Sequence, residues 1–236
     1  MQIIIPKQVE EILAGLRADG YEAFAVGGCV RDTLLGRVPG DWDITTSARP
    51  EQVKKVFGKT IDTGLQHGTV TVMREHVGYE ITTYRIDGEY EDARHPKEVA
   101  FTSDLKEDLR RRDFTINAMA YSHETGIVDI FGGMKDLKEG VVRCVGNAVE
   151  RFTEDALRIL RAIRFSAQLN FTIEDETYAA LTVIAPNLAN VSKERIQAEL
   201  TKTLLSDHPE RILLVEETGP SIFENAGLSG GDSLFY

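Results

Sequence analysis

The chain has 236 residues, of which 42% are hydrophobic and 28% charged, the composition of an ordinary globular protein with one or two domains. Its 27 Lys and Arg residues against 38 Asp and Glu residues give a net charge of −11, which argues against nucleic-acid binding mainly by phosphate neutralisation. It contains no apolar run near the roughly 18 residues of a membrane span, no convincing signal peptide, and only two widely separated cysteines, Cys29 and Cys144. We therefore predict a protein of the reducing cytoplasm.

The first part of the chain alternates helical and strand patterns. Apolar periodicity and turn residues predict these elements in chain order: a helix over 7–19, a strand over 21–26, a short helix over 30–36, a strand over 42–47, a helix starting near Pro50, a hairpin of 68–73 and 79–85 joined across a Gly-containing turn, a mobile polar loop over 87–104, a largely helical segment over 105–121, and strands over 127–131 and 141–145.

From residue 147 onward the pattern indicates helices only, over 153–169, 174–188 and 192–206. We therefore predict an α/β head over residues 1–140, with a mixed sheet and flanking helices. An all-helical neck over 141–206 follows it. Residues 207–236 are predicted to begin a truncated helical body or to form an irregular tail.

Two aspartates with one residue between them, Asp41 and Asp43, lie at the start of the predicted strand 42–47. Because alternate strand residues point to the same side, both carboxylates share a face while Trp42 points into the core. Carboxylates this close repel each other unless a cation lies between them, and Mg²⁺ is the natural choice. An isolated pair is more often solvated. Glu80, on a neighbouring predicted strand, is either a third carboxylate of the site or one polar residue of an alternating strand.

The Gly27-Gly28 pair lies between a predicted strand and a predicted helix. Since glycine has no Cβ, backbone N–H groups can approach a phosphate there, and the helix dipole and Arg31 add positive potential. Alone, the pair is typical of a tight turn. Followed within 16 residues by Asp41 and Asp43, it indicates a site for a triphosphate and a metal ion. The chain has no P-loop or Rossmann glycine motif.

The segment RRDFTINAMA (111–120) joins two arginines and an aspartate to an apolar run. Arg112 can bind a phosphate or ribose oxygen, and Asp113 can accept a hydrogen bond from a ribose 2′-OH. Standing alone, the motif is equally typical of salt bridges at a helix end.

The segment EDALRILRAIR (154–164) begins with two acids that suit the first turn of a helix, with Thr153 as its cap. Helix capping does not explain the arginines at every third position. Asp155 and Arg158 are one turn apart, and an acceptor beside a forked donor matches the Watson–Crick edge of cytosine and, with small shifts, adenine. Uracil or guanine would leave the aspartate unpaired at a cost of about 1–3 kcal/mol.

Five motifs in this order resemble those of the class II tRNA nucleotidyltransferases, or CCA-adding enzymes, a group of the polymerase-β-like superfamily that includes bacterial poly(A) polymerases. The resemblance runs from about Phe24 to Leu205 and rests on these segments: GGCVRDTLLGRVPGDWDI (27–44), RRDFTINAMA (111–120), DIFGGMKDL (129–137), EDALR (154–158) and ERIQAEL (194–200). It implies that Asp41 and Asp43 are the catalytic, metal-binding carboxylates and that Asp155 and Arg158 select the base. The further nucleotide contacts that it implies are Gly28, Arg31, Arg112, Arg161 and Arg164.

The resemblance implies a template-independent enzyme that adds C, C and then A to tRNA 3′ ends. The tRNA 3′-OH would attack the α-phosphate of CTP or ATP, with Mg²⁺ as cofactor and pyrophosphate as the leaving group. The expected partners are the tRNA 3′ end, CTP and ATP, with a homodimer allowed and no membrane. The stretch 87–104 resembles a flexible loop that family members adding only CC lack, which favours A addition as well.

Three alternatives stay open at this stage. A poly(A) polymerase, or an enzyme that adds only A or only CC, uses nearly the same motifs. A nucleotidyltransferase acting on a small molecule or a protein would keep the glycines and the aspartate pair but would not need EDALR. Because family members are usually much longer, we also expect either a nucleotide-binding fragment without tRNA grip or a module that works with partner chains.

Overall fold

The computed structural model describes residues 3–87 and 99–214. These residues form two compact units. The first comprises 3–87 and 99–135, and the second comprises 136–214.

The first unit is an α/β unit whose elements follow one another in this order: α1 (Lys7–Ala18), β1 (Ala23–Val26), α2 (Gly28–Leu34), β2 (Ile44–Thr46), α3 (Pro50–Val56), β3 (Thr60–Gly64), β4 (Thr69–Arg74), β5 (Val77–Thr83), β6 (Arg85–Asp87), β7 (Val99–Phe101), α4 (Leu105–Arg110), β8 (Met119–Ser122) and β9 (Gly126–Asp129). Short 3₁₀ turns occupy Leu65–His67 and Thr115–Asn117. Helix α5 (Gly133–Glu139) follows and runs across the boundary between the units.

Seven of these strands form one mixed sheet in the order β3-β4-β5-β2-β1-β8-β9. Strands β2 and β5 pair in parallel, and the other neighbours in this sheet pair antiparallel. β1 lies near the middle and is buried along its whole length. One face of α1 packs into the core through Val9, Ile12, Leu13 and Leu16, as their helical spacing predicts. The predicted α/β head with a mixed sheet is therefore confirmed.

The segment predicted to be largely helical over 105–121 is the main error. Helix α4 ends at Arg110, a 3₁₀ turn follows, and β8 begins at Met119. Two features explain the difference. The Asp113 carboxylate accepts hydrogen bonds from the Phe114 backbone N–H and the Asn117 side chain, which competes with helix formation. The apolar run after it is as suitable for a buried strand as for a helix, and β8 pairs with both β1 and β9.

The predicted hairpin is present as β4 and β5, but its turn is not made by glycine. Glu75 and His76 form the two-residue loop, both with positive φ (48° and 69°), as the tightest hairpin turns require. Gly78 lies inside β5, where a Cβ would come within 2.8 Å of the Thr71 methyl group. The glycine therefore serves packing, and the turn is left to two residues that adopt this conformation reluctantly.

The second unit is mainly helical, with β10 (Val141–Val142), α6 (Ala148–Glu154), α7 (Leu157–Leu169), β11 (Thr172–Ile173), α8 (Asp175–Ile184) and α9 (Lys193–Leu204). The 3₁₀ turns of this unit lie at Ala185–Asn190 and Pro209–Leu213. The expectation of helices only after residue 147 was wrong by one short strand, since β11 pairs in parallel with β10. The single helix predicted over 153–169 is broken at Asp155 into α6 and α7.

Two expectations concern segments that lie largely outside the described residues. Of the stretch 87–104, residues 88–98 are outside, and its flanks pair as β6 and β7. Of the tail 207–236, residues 215–236 are outside. Within the two described ranges, no helix combines the length and the apolar character needed to cross a bilayer.

Candidate active site

A cavity of about 400 Å³ opens in the first unit, where the segment before β2 meets the beginning of β5. Its walls bring together the predicted aspartate pair, Asp41 and Asp43, and the candidate third carboxylate, Glu80. The remaining lining residues are Gly40, Trp42, Val77, Gly78 and Tyr79. The structure thus places in one cavity three acids that come from two separate segments of the chain.

The two aspartates precede β2 rather than lying within a strand, because β2 covers only Ile44–Thr46. The expectation that Trp42 points into the core was wrong. Its side chain is half-buried and lines both the acidic cavity and a second, apolar groove beside Ile5 and Val38. Burial begins only at Ile44, where the chain enters the sheet.

The negative charges of the acids in the cavity repel one another. Asp43 is accessible to solvent, but the surrounding protein removes part of the water from its carboxyl group. This desolvation, followed by the negative charges of Asp41 and Glu80, raises the pKa of Asp43, while the positive charge of Arg112 lowers it. Among the described residues, none of the three acids forms a salt bridge or a side-chain hydrogen bond.

The donor chemistry of the cavity suits a hard divalent cation. Magnesium is commonly bound by one or two carboxylates, with substrate phosphates and water filling the remaining positions. Asp41 and Asp43 meet that requirement. No cluster of three or more His, Cys, Asp or Glu residues close enough to enclose an ion occurs in residues 3–87 and 99–214.

The glycine pair and the RRD motif meet beside this cavity. Gly27 has a φ of 83°, and a Cβ there would lie 3.0 Å from a terminal nitrogen of Arg112. The Arg112 Nε is buried and has no hydrogen-bond partner among the described residues. Since Arg112 also lowers the pKa of Asp43, its charge acts on both the glycine turn and the acidic cavity.

Arg31 is held firmly at the same place. Its side chain is buried and donates to the Asn117 amide oxygen at 2.6 Å and to the Asp32 carboxylate at 2.8 Å. The Asn117 side chain in turn donates to Asp113 at 3.1 Å. Gly28 lies next to Arg31, because a Cβ at Gly28 would be 3.6 Å from a terminal nitrogen of the Arg31 guanidinium. The predicted residues Gly28, Arg31, Arg112 and Asp113 are therefore neighbours in the first unit.

Two residues of this cluster were missed by the sequence analysis, Asn117 and Asp108. Asp108 is fully buried and accepts hydrogen bonds from Arg111 (2.9 and 3.0 Å) and from the Thr45 hydroxyl (3.1 Å), with Arg112 at 3.5 Å. Burial alone would raise the pKa of Asp108, but the two arginines and these hydrogen bonds hold it below its usual value. The spacing of three and four residues from Asp108 to the arginines was the available signal. No sequence spacing indicates the contact of Asn117 with Arg31, because the two residues are 86 positions apart.

In the second unit, Asp155 lies at the break between α6 and α7. Its Oδ1 accepts a hydrogen bond from the Leu157 backbone N–H at 3.0 Å, so Asp155 caps α7. The capping role expected for Thr153 was wrong, because its hydroxyl donates to the Val149 carbonyl within α6. Arg195 of α9 donates to both carboxylate oxygens of Asp155, at 2.8 and 3.4 Å.

The three predicted arginines of α7 lie in different environments. Arg158 is buried and donates to the Glu154 carboxylate at 2.6 Å and to the Arg151 carbonyl at 3.0 Å. Arg161 is half-buried, with its guanidinium 5.5 Å from the centre of the Phe165 ring. Arg164 is buried and donates to Glu199 of α9 at 2.5 Å. The structure thus gives Arg164 a part in joining two helices, and its contact with a nucleotide stays a prediction.

Comparison with known proteins gives a consistent result. Residues 23–143 match the family model described as "Poly A polymerase head domain", and residues 170–219 match "Probable RNA and SrmB-binding site of polymerase A". A CCA-adding enzyme from Leuconostoc mesenteroides is 52% identical over 204 residues, which are 86% of this chain and 51% of that protein. The chain spans about half the length of the curated relatives it matches.

Two solved structures show the same likeness. The Bacillus stearothermophilus CCA-adding enzyme in complex with CTP superimposes with a TM-score of 0.84 at 43% identity, covering 92% of this chain and 53% of that one. The Thermotoga maritima CCA-adding enzyme complexed with tRNA gives a TM-score of 0.78 at 26% identity, covering 99% and 58%. These matches confirm the predicted fold class and the resemblance seen in the motifs.

Proposed function

Because the chain belongs to the poly A polymerase head-domain family, we propose that it is a tRNA nucleotidyltransferase that adds C, C and A to tRNA 3′ ends from CTP and ATP, releasing pyrophosphate. The observation that carries this proposal is the acidic cavity of Asp41, Asp43 and Glu80, whose Asp43 feels the charge of Arg112, a half-buried arginine with a buried Nε that has no hydrogen-bond partner among the described residues. The CCA-adding enzymes named above support the choice of reaction.

CCA-adding enzymes generally use divalent metal ions, and we propose that Asp41 and Asp43 hold Mg²⁺ here. When bound, the ion would promote loss of the proton from the attacking 3′-OH and offset the charge that develops on the phosphates. The crowding of negative charge at Asp43 supports this proposal, because a cation relieves it. No covalent enzyme intermediate is needed.

The remaining polar groups of the first unit would hold the rest of the nucleotide. In this proposal the N–H groups at Gly28 and the guanidinium of Arg112 bind phosphate oxygens, and Asp113 accepts a hydrogen bond from the ribose 2′-OH. Arg31 adds a charge whose position is fixed by Asn117 and Asp32. A site built from groups already held in place loses little entropy when it binds its ligand.

We propose that the second unit chooses the base. Asp155 would accept from the exocyclic amino group of cytosine or adenine, and Arg158 would donate to the neighbouring ring atoms. Arg161 and Arg164 complete the set of proposed contacts, and the pairing of Arg164 with Glu199 suits it to fixing α7. In these terms residues 1–140 act as the catalytic head and 141–206 as the nucleotide-selecting neck.

The proposed partners are the tRNA 3′ end, CTP and ATP. Solved CCA-adding enzymes in complex with CTP, with ATP and with tRNA support this set. A homodimer and a cytoplasmic location belong to the same proposal and rest on the sequence alone.

The proposal is tested by incubating the protein with Mg²⁺ and a tRNA transcript that ends at its discriminator base. Separate reactions receive CTP, ATP, both, or GTP with UTP, and products are resolved to single nucleotides. We expect two additions with CTP and three with CTP and ATP together. A long ladder of A would instead identify a poly(A) polymerase. Failure to extend any RNA while nucleotide still binds would contradict the proposed activity for this chain.

A further inference from the structure

Helix α9 supplies an arginine, Arg195, that donates hydrogen bonds to the carboxylate of Asp155, the proposed base-selecting residue. The two terminal nitrogens of Arg195 donate to Oδ2 and Oδ1 of Asp155 at 2.8 and 3.4 Å, across 40 positions of the chain. We propose that Arg195 is a positioning residue for nucleotide selection, because its planar fork fixes the plane of the Asp155 carboxylate. This inference rests on the base-selecting role of Asp155 in the proposed function.

The hydrogen bonds at Asp155 leave one place for a base. A carboxylate offers about four acceptor positions, two on each oxygen. On Oδ1, the Leu157 N–H and one nitrogen of Arg195 fill both positions. On Oδ2, the other nitrogen of Arg195 fills one. The remaining acceptor on Oδ2 is what a single N–H of an exocyclic amino group requires, so Arg195 does not need to leave when a base binds.

Asp155 needs this support because its own backbone does little to hold the carboxylate. It lies in the break between two helices with extended dihedral angles (φ −147°, ψ 102°). Without Arg195, the described hydrogen bonds would hold the carboxylate at one oxygen only, through the Leu157 N–H. Rotation about the last side-chain bond is easy for aspartate. A carboxylate that is free to rotate does not keep its remaining acceptor directed at the amino group of the correct base, and the preference for that base is weakened.

A purely structural role for Arg195 is less consistent with the ion pair that joins α7 to α9 directly. Arg164 of α7 pairs with Glu199 of α9, and their side chains are only 10% and 6% exposed. The Arg195 and Asp155 side chains are 22% and 16% exposed. The Arg164 pair is therefore the more buried link between the helices, and the Arg195 pair leaves more of its surface accessible to a nucleotide. This contrast provides a matched control.

The test compares wild type with Asp155→Asn, Arg195→Met, Arg195→Lys and Glu199→Gln. For each, the efficiency of CTP and of UTP addition to a tRNA ending at its discriminator base is measured under single turnover, together with the melting temperature. The affinity ratio for CTP and UTP without tRNA gives a second readout of selection. Arg195→Lys keeps the charge and lacks the two-point fork, so it remains informative should Arg195→Met fail to fold.

We expect Arg195→Met to lower the preference for CTP over UTP by about tenfold or more, and Arg195→Lys to lower it by less. Glu199→Gln should lower the melting temperature and change the preference less than either Arg195 variant does, because it leaves the pair of Arg195 with Asp155 intact. The inference is overturned if Asp155→Asn loses the preference and both Arg195 variants keep it, or if Glu199→Gln loses it equally. An unchanged preference in Asp155→Asn would refute the base-selecting role itself and the inference with it.

Discussion

The acidic cavity of the first unit and the α6–α7 junction of the second differ in how their charged side chains are paired. In the cavity, Asp41, Asp43 and Glu80 have no salt bridge to any described residue, and the pKa of Asp43 is raised by partial desolvation and by its acidic neighbours. At the junction, Asp155 is paired with Arg195 and Arg158 with Glu154. The described residues of the cavity bring like charges together, whereas those of the junction pair opposite charges.

This difference suits two different tasks. A cavity whose acids repel one another gains stability when a divalent ion and its phosphates arrive, so it is suited to chemistry on charged groups. A junction whose charges are already paired keeps its donors and acceptors in fixed directions, so it is suited to discriminating between bases. Substitutions in the first unit test how it holds its charged groups and its strained turns, and they follow from the largest expected effect to the smallest.

Replacing Asp43 with Asn should lower the single-turnover rate of CTP addition by about 10³-fold or more, because several kcal/mol of charge stabilisation would be lost. The melting temperature should stay the same or rise, since the change removes one of the mutually repelling charges. The two quantities are measured by primer extension and by circular dichroism. A variant that loses activity only because it unfolds would contradict the assignment of Asp43 to the chemistry.

Replacing Asp108 with Asn should destabilise the first unit by about 3 kcal/mol at neutral pH, because Arg111 and Arg112 would lose a fully buried partner. The folded-state pKa of Asp108 is depressed, so its contribution is complete above the unfolded value of about 3.9 and is lost as the pH falls through the folded value. Urea unfolding at neutral pH and at a series of acidic pH values measures this.

The matched control for Asp108 is Asp62→Asn, which removes an exposed pair with Lys54. An exposed ion pair contributes about 0–1 kcal/mol, so this variant should unfold nearly as wild type does. Equal losses of stability in the two variants at neutral pH would contradict the stabilising role of the buried pairs that Asp108 forms with Arg111 and Arg112.

Replacing Gly27 with Ala should cost about 1–2 kcal/mol of stability, because φ is positive there, and should weaken CTP binding. The added Cβ would press against Arg112 at 3.0 Å. Gly20→Ala is the control, since Gly20 has a similar φ of 88° but nothing within 4 Å of a Cβ. Its stability should fall alike while its CTP affinity stays at the wild-type value. Thermal shift measures the stability of the two variants, and titration measures their affinity for CTP. Equal CTP affinity in both variants would contradict a role of the Gly27 turn in nucleotide binding.

Replacing His76 with Gly should raise stability by about 0.5 kcal/mol, because relief of a left-handed conformation exceeds the entropy cost of glycine. Glu75→Gly relieves the same strain at the neighbouring position but loses the hydrogen bond from Gln8 at 2.6 Å, so it should gain less. Chemical denaturation orders the three proteins. The reverse order would show that the turn is not strained.

Sequence patterns predicted the sheet, the glycine turn and the aspartate pair because each depends on residues close together in the chain. Sequence patterns did not predict the features that depend on contacts between residues far apart in the chain. The 105–121 segment is helical only to Arg110 and ends in a turn and a strand, because β8 pairs with β1 and β9. The pairing of Asp155 with Arg195 and the link from Arg31 through Asn117 join residues 40 and 86 positions apart, and no local spacing indicates them.

The most direct test of the proposed division of tasks is the affinity of the protein for CTP, ATP, UTP and GTP, measured by titration with Mg²⁺ and again after chelation of divalent ions. We expect CTP and ATP to bind at least about fivefold more tightly than UTP and GTP. Chelation should weaken all four alike and leave this preference in place. Equal affinities for the four nucleotides, or a preference that disappears with the metal, would contradict the assignment of base selection to Asp155 and Arg158.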